Sequence, residues 1–172
     1  MASTELLVFA FQEESSASVA LAELKEWKED SVIDLEDAAI LVRDEDGSIQ
    51  VKETADPEPK RGALIGAIAG GLIGLVAGPA GVAVGAAAGA GAGSLAAHKI
   101  DLGIPNEQLE AIAEGLQPGT SAIIALIQQA SADRVVAKLE QYGAQTVRQE
   151  LKEEIAAQLA NQDDHAETAT SG

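Results

Sequence analysis

The stretch "ELLVFAFQEESSASVALAELKEWKED" at residues 5–30 contains the pattern of a strand followed by that of a helix. Residues 5–11 form a short apolar run that ends in polar residues, which is typical of a buried strand. The period then changes, and apolar residues recur at the spacing of one helical face: Ala17, Ala20, Leu21 and Leu24. Ser15 or Ser16 can cap the start of this helix. The stretch therefore predicts a β-α unit.

The same order of elements returns near the other end of the chain. "TSAIIALIQ" at 120–128 predicts a second buried strand, and "SADRVVAKLEQYG" at 131–143 predicts a helix that is capped by Ser131 and stopped by Gly143. "AQTVRQEL" at 144–151 alternates like a half-exposed strand. An offset of 115 residues relates the two halves: Val8 with Ile123, Phe11 with Leu126, Ser16 with Ser131, Ala20 with Val135, Leu24 with Leu139, and Trp27 with Tyr142. We expect Val135, Leu139 and Tyr142 to point inward.

Two further elements complete the predicted domain. Two β-rich runs flank Asp46 and Gly47, a pair suited to the positive φ angles of a tight hairpin turn. "NEQLEAIAEGLQPGT" at 106–120 predicts a helix capped by Asn106. Two β-α-β halves most simply form one sheet with helices on one face. The sequence therefore predicts an α+β fold, a ferredoxin-like duplicated domain.

Residues 61–99 interrupt this domain with a segment of different physical character. No ionisable side chain lies between Arg61 and His98, and glycine recurs at every fourth position on each side of Pro79: Gly62, Gly66, Gly70, Gly74, Gly78, Gly81, Gly85, Gly89 and Gly93. Glycines at this spacing form a stripe along a helix that another backbone can approach closely. Since each helical glycine costs about 1 kcal/mol relative to alanine, close packing of the stripe has to return that energy. We predict a helical hairpin that turns at Pro79 and packs through the glycines.

The predicted hairpin has features of a membrane segment. Each arm, 62–78 or 81–97, rises about 25 Å as a helix, against about 30 Å of hydrocarbon in a bilayer. The basic flanks Lys60, Arg61, His98 and Lys99 lie together at the base of a hairpin, which the positive-inside rule places in the cytoplasm. The alternatives are a low-complexity linker and an ordinary buried helix pair in a soluble protein.

The composition limits the classes of function. A formal net charge of −17 argues against binding nucleic acid, and a chain with no cysteine has no disulfide or thiolate metal site. The start of the chain lacks the basic residues and long apolar run of a signal peptide. Several motifs do not indicate a site. The "GAGAGS" motif lacks the residues of a phosphate loop, and "DEDG" at 44–47 is interpreted as a hairpin turn and not as a calcium loop. The acidic cluster of Asp34, Glu36 and Asp37 is interpreted as a solvated edge. We expect no catalytic residue, metal site or cofactor.

Four parts of the chain resemble a known family in their order. They are "VIDLEDAAILVRDEDGSIQVKE" (32–53), the Gly/Ala-rich segment, "LQPGTSAIIALI" (116–127) and "YGAQTVRQEL" (142–151). The chain resembles the bacterial domain of unknown function 1269 family, whose members are often labelled predicted membrane proteins. The resemblance implies a membrane-linked or self-associating protein, and it supplies no catalytic residues.

These observations divide the chain at 1–60, 61–99, 100–160 and a disordered tail at 161–172. The expected function is that of a non-enzymatic, membrane-associated protein that assembles with itself through the hairpin, on the cytoplasmic face of the inner membrane. One alternative is a soluble cytoplasmic shell or filament whose hairpins pack together. Another is a membrane-anchored ligand-binding or regulatory domain. We also expect the α+β domain to fold when residues 62–97 are replaced by a short polar linker.

Overall fold

The computed structural model of the chain describes residues 3–54, Ala69, Leu72 and 106–150. This part of the chain is α+β, as predicted. The five strands are β1 (Thr4–Phe11), β2 (Leu35–Arg43), β3 (Ile49–Thr54), β4 (Thr120–Gln128) and β5 (Gln145–Glu150). The three helices are α1 (Ser16–Glu29), α2 (Asn106–Gly115) and α3 (Gln129–Glu140).

The strands form one antiparallel sheet in the order β3-β2-β4-β1-β5. The two strands from the predicted repeat, β1 and β4, lie at its centre and pair over their whole length, from Thr4 opposite Gln128 to Phe11 opposite Ser121. Both are buried along their length because each face of the sheet is covered. The continuous apolar runs that predicted them are the pattern expected of strands buried on both faces.

A hairpin turn joins β2 and β3 at Asp46 and Gly47, as predicted, but only Gly47 of this pair has a positive φ angle. Gly47 has a φ angle of +88°, which a residue with a Cβ rarely adopts. The backbone N–H of Gly47 donates to the carbonyl of Asp44, and that of Asp44 donates to the carbonyl of Ser48, each at 2.9 Å. The turn places β3 at one edge of the sheet.

Helices α1 and α3 cover the first face of the sheet. The structure buries the predicted residues Ala17, Ala20, Leu21 and Leu24 of α1 and Val135 and Leu139 of α3. Helix α3 also buries Ser131 and Ala132, which the spacing did not predict. They pack on the alternate strand residues that point to this side, including Leu7, Phe9, Ile40 and Ile123. Every one of these apolar residues is at most 3% exposed. Among the described residues, this core has more buried members than the core on the other face.

The predicted caps are made differently in the structure. Ser15 makes no side-chain capping bond at the start of α1. The hydroxyl of Ser121, distant in sequence and fully buried, instead accepts from the N–H of Ala17 at 3.2 Å. Ser131 lies inside α3, where its hydroxyl accepts from the N–H of Asp34 at 2.9 Å. A long-range contact thus replaces the local cap of α1, whereas Ser131 does not cap α3.

The offset of 115 residues pairs Ala20 with Val135 and Leu24 with Leu139 in one core, but it is wrong for the strands. Leu24 and Leu139 both lie in the core under the helices. Val8, in contrast, points to the second face of the sheet, while its predicted counterpart Ile123 points to the first. A connection separates β1 from α1, whereas α3 begins directly after β4. Because side chains alternate along a strand, an odd shift places paired positions on opposite faces.

Tyr142 is also misplaced by the sequence pattern, since it is 41% exposed rather than inward. It lies in the turn after α3, where its hydroxyl donates to the carboxylate of Glu23 on α1. Lys138 Nζ lies 2.6 Å from the same carboxylate and 5.4 Å from the centre of the Trp27 ring. The contacts of Glu23 with Lys138 and Tyr142 thus join α1 to the end of α3 at the surface of the first face.

The hydrogen bond from Lys138, followed by that from Tyr142, lowers the pKa of Glu23 below its ordinary value of 4.5. A lowered pKa contributes stability above the unfolded-state value, and this contribution is lost as the pH falls through the folded-state value. Wild type should therefore be more stable than Glu23→Gln at neutral pH, with the difference shrinking below pH 4.5. Urea titrations from pH 7 to pH 3 would measure it. A constant difference would show that the carboxylate charge is not responsible.

Candidate functional site: the second face of the sheet

The second face of the sheet is apolar and is made by three central strands. Side chains alternate between the two faces, so this face receives the other half of each strand. Its residues are Leu6 and Val8 from β1, Ala39 and Leu41 from β2, and Ala122, Ile124 and Leu126 from β4. The sequence pattern predicted helices on one face only. That prediction is wrong, because this face is also covered.

Helix α2 supplies one part of the cover. Ile112 and Leu116, which the helical spacing placed on one side of the predicted helix, are buried against the strands. Arg43 at the end of β2 holds the end of this element, because its Nη1 donates to the carbonyl of Leu116 at 2.5 Å. The N–H of Gly119 donates in turn to the carbonyl of Arg43 at 2.8 Å. The direction of α2 over the sheet is thereby fixed.

Two residues of the Gly/Ala-rich segment supply the other part. Ala69 and Leu72 are helical, and they are 2% and 0% exposed in the same core as Ile112 and Leu116. Residues three apart lie on one side of a helix. The sequence pattern did not predict this role for either residue. Their three-residue spacing was the available signal, but it gave no indication of the surface that they contact.

The remaining sequence-predicted site residues lie outside the described residues. These are the nine glycines of the stripe, the turn residue Pro79, and the basic flanks Lys60, Arg61, His98 and Lys99. The "GAGAGS" motif lies outside them as well. No helix within residues 3–54 and 106–150 is long and apolar enough to cross a membrane.

A small cleft opens on the second face beside the edge strand β5. It has a volume of about 170 Å³ and lies between α2 and strands β1 and β5. Its lining is mainly apolar and consists of Val8, Ala10, Ala111, Ile112, Gly115, Gln145, Thr146 and Val147. Pockets that bind small molecules usually measure about 300–1,000 Å³. The cleft therefore has room for one or two apolar side chains.

A buried ion pair lies on the first face, next to α3. Glu5 is 3% exposed, although it occupies a strand of otherwise mainly apolar residues. Its carboxylate accepts two hydrogen bonds from the guanidinium of Arg148 on β5, one of them at 2.9 Å. Asp133 of α3 receives a third bond from Arg148, at 2.5 Å. The Glu5 carboxylate, followed by that of Asp133, raises the pKa of Arg148 above its ordinary range.

The acidic cluster predicted as a solvated edge is partly buried. Asp37 is fully buried, and its Oδ1 accepts from the N–H of Ala38 at 2.8 Å. Glu36 accepts hydrogen bonds from the hydroxyl of Thr4, at 2.8 Å, and from the amide of Gln128. The prediction that this cluster is a solvated edge is therefore wrong for Asp37, which is not exposed to solvent. In the part of the chain that the structure describes, no group of histidine and carboxylate side chains could hold a metal ion.

The geometry defines a class: an α+β protein with one antiparallel sheet that is covered on both faces, the second in part by residues of a Gly/Ala-rich segment. The chain belongs to the family described as Protein of unknown function (DUF1269), whose sequence profile matches residues 63–162, more than half of its length. This match confirms the resemblance found in the sequence. No curated protein and no solved structure matches the chain.

Proposed function

We propose that this protein is a non-enzymatic protein that assembles with itself through the Gly/Ala-rich segment, in association with the cytoplasmic face of the inner membrane. The observation that carries the proposal is the burial of Ala69 and Leu72 on the second face of the sheet. The α+β domain thus holds one side of this segment. The partners of the protein on this proposal are other copies of the chain and membrane lipid.

On this proposal, the glycine stripe makes the assembly contact on the side of the segment away from Ala69 and Leu72. An α-helix turns by about 100° per residue. In a helix over 62–78, Gly70 and Gly74 therefore project about 100° and 140° around the axis from Ala69. In that helix both glycines would face away from the sheet, where the backbone of a second helix could approach closely. The second helix is the other arm of a hairpin turned at Pro79, or an arm of another copy.

We also propose that the described domain is a duplicated, ferredoxin-like domain with the hairpin inserted between its halves. Strands β2, β4, β1 and β5 follow one another in the sheet, and this is the order that two antiparallel β-α-β units produce. The helical pairs Ala20 with Val135 and Leu24 with Leu139 occupy the same core. On this view, β3 is an addition at one edge.

The second candidate function is a soluble assembly in which the segments pack against protein only. Leu72 favours it, because its side chain is fully buried against the sheet. The third candidate, ligand binding by the domain, has less support, because the cleft beside β5 is smaller than most ligand pockets.

The test combines a size measurement with flotation on phospholipid vesicles, for wild type and for the double variant Gly70→Leu/Gly74→Leu. Leucine adds bulk where the backbones meet, and overpacking of this kind costs about 1–3 kcal/mol per site. It also raises apolarity and helix propensity, so partitioning into lipid should improve. We expect the variant to float with the vesicles and to form smaller oligomers in detergent.

The control is Gly70→Ala/Gly74→Ala, which raises helix propensity by a similar amount but keeps the stripe small. It should retain the oligomer size of wild type. If the leucine variant keeps that size as well, the glycine stripe is not the assembly contact. If wild type stays with the soluble fraction as large particles, the membrane part of the proposal is wrong and the soluble assembly replaces it.

A further inference from the structure

The outer surface of the first face brings together the two aromatic residues that have a polar group. Trp27 and Tyr142 are the only tryptophan and the only tyrosine in the sequence. Lys138 Nζ lies 5.4 Å from the centre of the Trp27 ring and 5.9 Å from that of the Tyr142 ring. Both Lys138 and Tyr142 contact the carboxylate of Glu23. We call this line of contact between α1 and α3 the seam.

Apolar side chains are exposed along the seam. In the described part of the chain four large hydrophobic residues are exposed, and three of them lie here: Val19, Val32 and Tyr142. Val19 precedes Glu23 by four residues, so the two share one side of α1. The carbonyl of Val32 accepts a hydrogen bond from Nη1 of Arg134 on α3, at 2.6 Å. Single exposed apolar residues are common, whereas a row of them beside Trp, Tyr and Arg is typical of a protein contact surface.

The charges of the seam are suited to a second copy of the chain. The net charge of −17 makes two copies repel each other in general. The seam carries two cations, Arg134 and Lys138, beside the carboxylate of Glu23. A rotation of 180° about an axis along the seam lays α1 of one copy over α3 of another. Glu23 of each copy then faces Lys138 of the other, so the contact is isologous and its charges are complementary.

We propose that the seam is a contact surface for a second copy of this chain, in which α1 of each copy packs over α3 of the other. The rings of Trp27 and Tyr142 supply rigid apolar area, and Val19 of one copy lies near Val19 of the other. Lipid is a less suitable occupant, because the Glu23 carboxylate repels anionic headgroups. The contact lies on the opposite face of the sheet from the buried residues of the Gly/Ala-rich segment. It therefore goes beyond the proposed assembly through the glycines and does not depend on it.

The first test is chemical cross-linking in the full-length chain, which has no native cysteine. The variants are Val19→Cys on the seam and, as the matched control, Val51→Cys on the edge strand β3. The two valines are similarly exposed, at 55% and 46%. With a short thiol-specific cross-linker, Val19→Cys should give at least ten times more product between two chains than Val51→Cys. Equal yields, or no product from Val19→Cys, would overturn the proposal.

The second test exchanges the charges across the contact. Glu23→Lys and Lys138→Glu are each combined with Val19→Cys and carry tags of different size, so that electrophoresis separates the three possible products. Each variant alone opposes like charges and should lose at least fivefold of the cross-linked product. In an equal mixture, the product that joins the two variants should exceed each of the other products at least tenfold, which also shows that both variants are folded. A random distribution of the three products would contradict the proposed orientation of the copies.

The outcome is distinguishable from that of the glycine experiment. Adding Gly70→Leu/Gly74→Leu to Val19→Cys should leave the yield of cross-linked product unchanged. A tenfold loss in that background would show that the seams meet only because the glycines assemble, and would overturn the proposal. If Val19→Cys gives no product while Tyr142→Ala reduces flotation on phospholipid vesicles, lipid occupies the seam and the proposal is wrong.

Discussion

Replacing Leu72 by alanine should lower the free energy of unfolding by about 2–5 kcal/mol, which is the usual cost of removing a buried leucine side chain. Leu72 is fully buried, and it contacts the second face of the sheet as part of a core that includes Leu41 and Ile124. The substitution leaves a cavity where the segment meets the sheet. Urea unfolding of the full-length protein, followed by the fluorescence of Trp27, would measure the change.

The matched control is Val51→Ala on the edge strand β3, because Val51 is 46% exposed. Exposed substitutions usually change stability by no more than about 0.5 kcal/mol. If Leu72→Ala has an effect as small as that of Val51→Ala, the segment does not form part of the core in solution, and the basis of the proposed function is lost.

The burial of Leu72 also changes what we expect of a deletion. The sequence suggested that the α+β domain would still fold with residues 62–97 replaced by a polar linker. That replacement removes both Ala69 and Leu72 from the second core and uncovers apolar residues of β1, β2 and β4. Exposed apolar patches promote association. A shortened chain is therefore unsuitable for testing the domain.

The second large effect is expected for Arg148→Met, which should destabilise the protein by about 3 kcal/mol. Glu5 is 3% exposed, and its carboxylate would lose both hydrogen bonds from the guanidinium. Removing one partner of a buried ion pair is costly, because the remaining charge stays buried without compensation. We place the effect at the lower end of the usual range, because the side chain of Arg148 is itself 38% exposed.

Two controls separate the charge effect from a general loss of packing. Asp133→Asn changes only the partner of Arg148 that is 87% exposed, and should cost less than about 1 kcal/mol. The double variant Glu5→Met/Arg148→Met removes both charges of the pair and should recover much of the stability lost in Arg148→Met. If it is less stable than Arg148→Met, burial of the unpaired Glu5 carboxylate is not the cause of the loss.

The sequence by itself determined the type and limits of most described elements, because these depend on local periodicity. The apolar runs at 5–11 and 120–128 identified β1 and β4, which the structure extends by at most one residue. The spacing of Ala17, Ala20, Leu21 and Leu24 identified the buried side of α1. Asp46 and Gly47 identified the hairpin turn, in which Gly47 adopts a positive φ angle that residues with a Cβ rarely adopt. The order of the parts was sufficient to identify the family.

Only the tertiary structure decided which surfaces meet. The sequence showed that Leu72 is apolar, but its contact with the second face depends on a sheet made by strands distant in the chain. The same holds for Glu5, whose partner Arg148 lies 143 positions away. The face to which Val8 points was mispredicted, because an odd difference in spacing between the halves reverses the direction of every strand side chain. Periodicity specifies one element at a time, whereas contacts between elements depend on pairing and connection lengths across the whole chain.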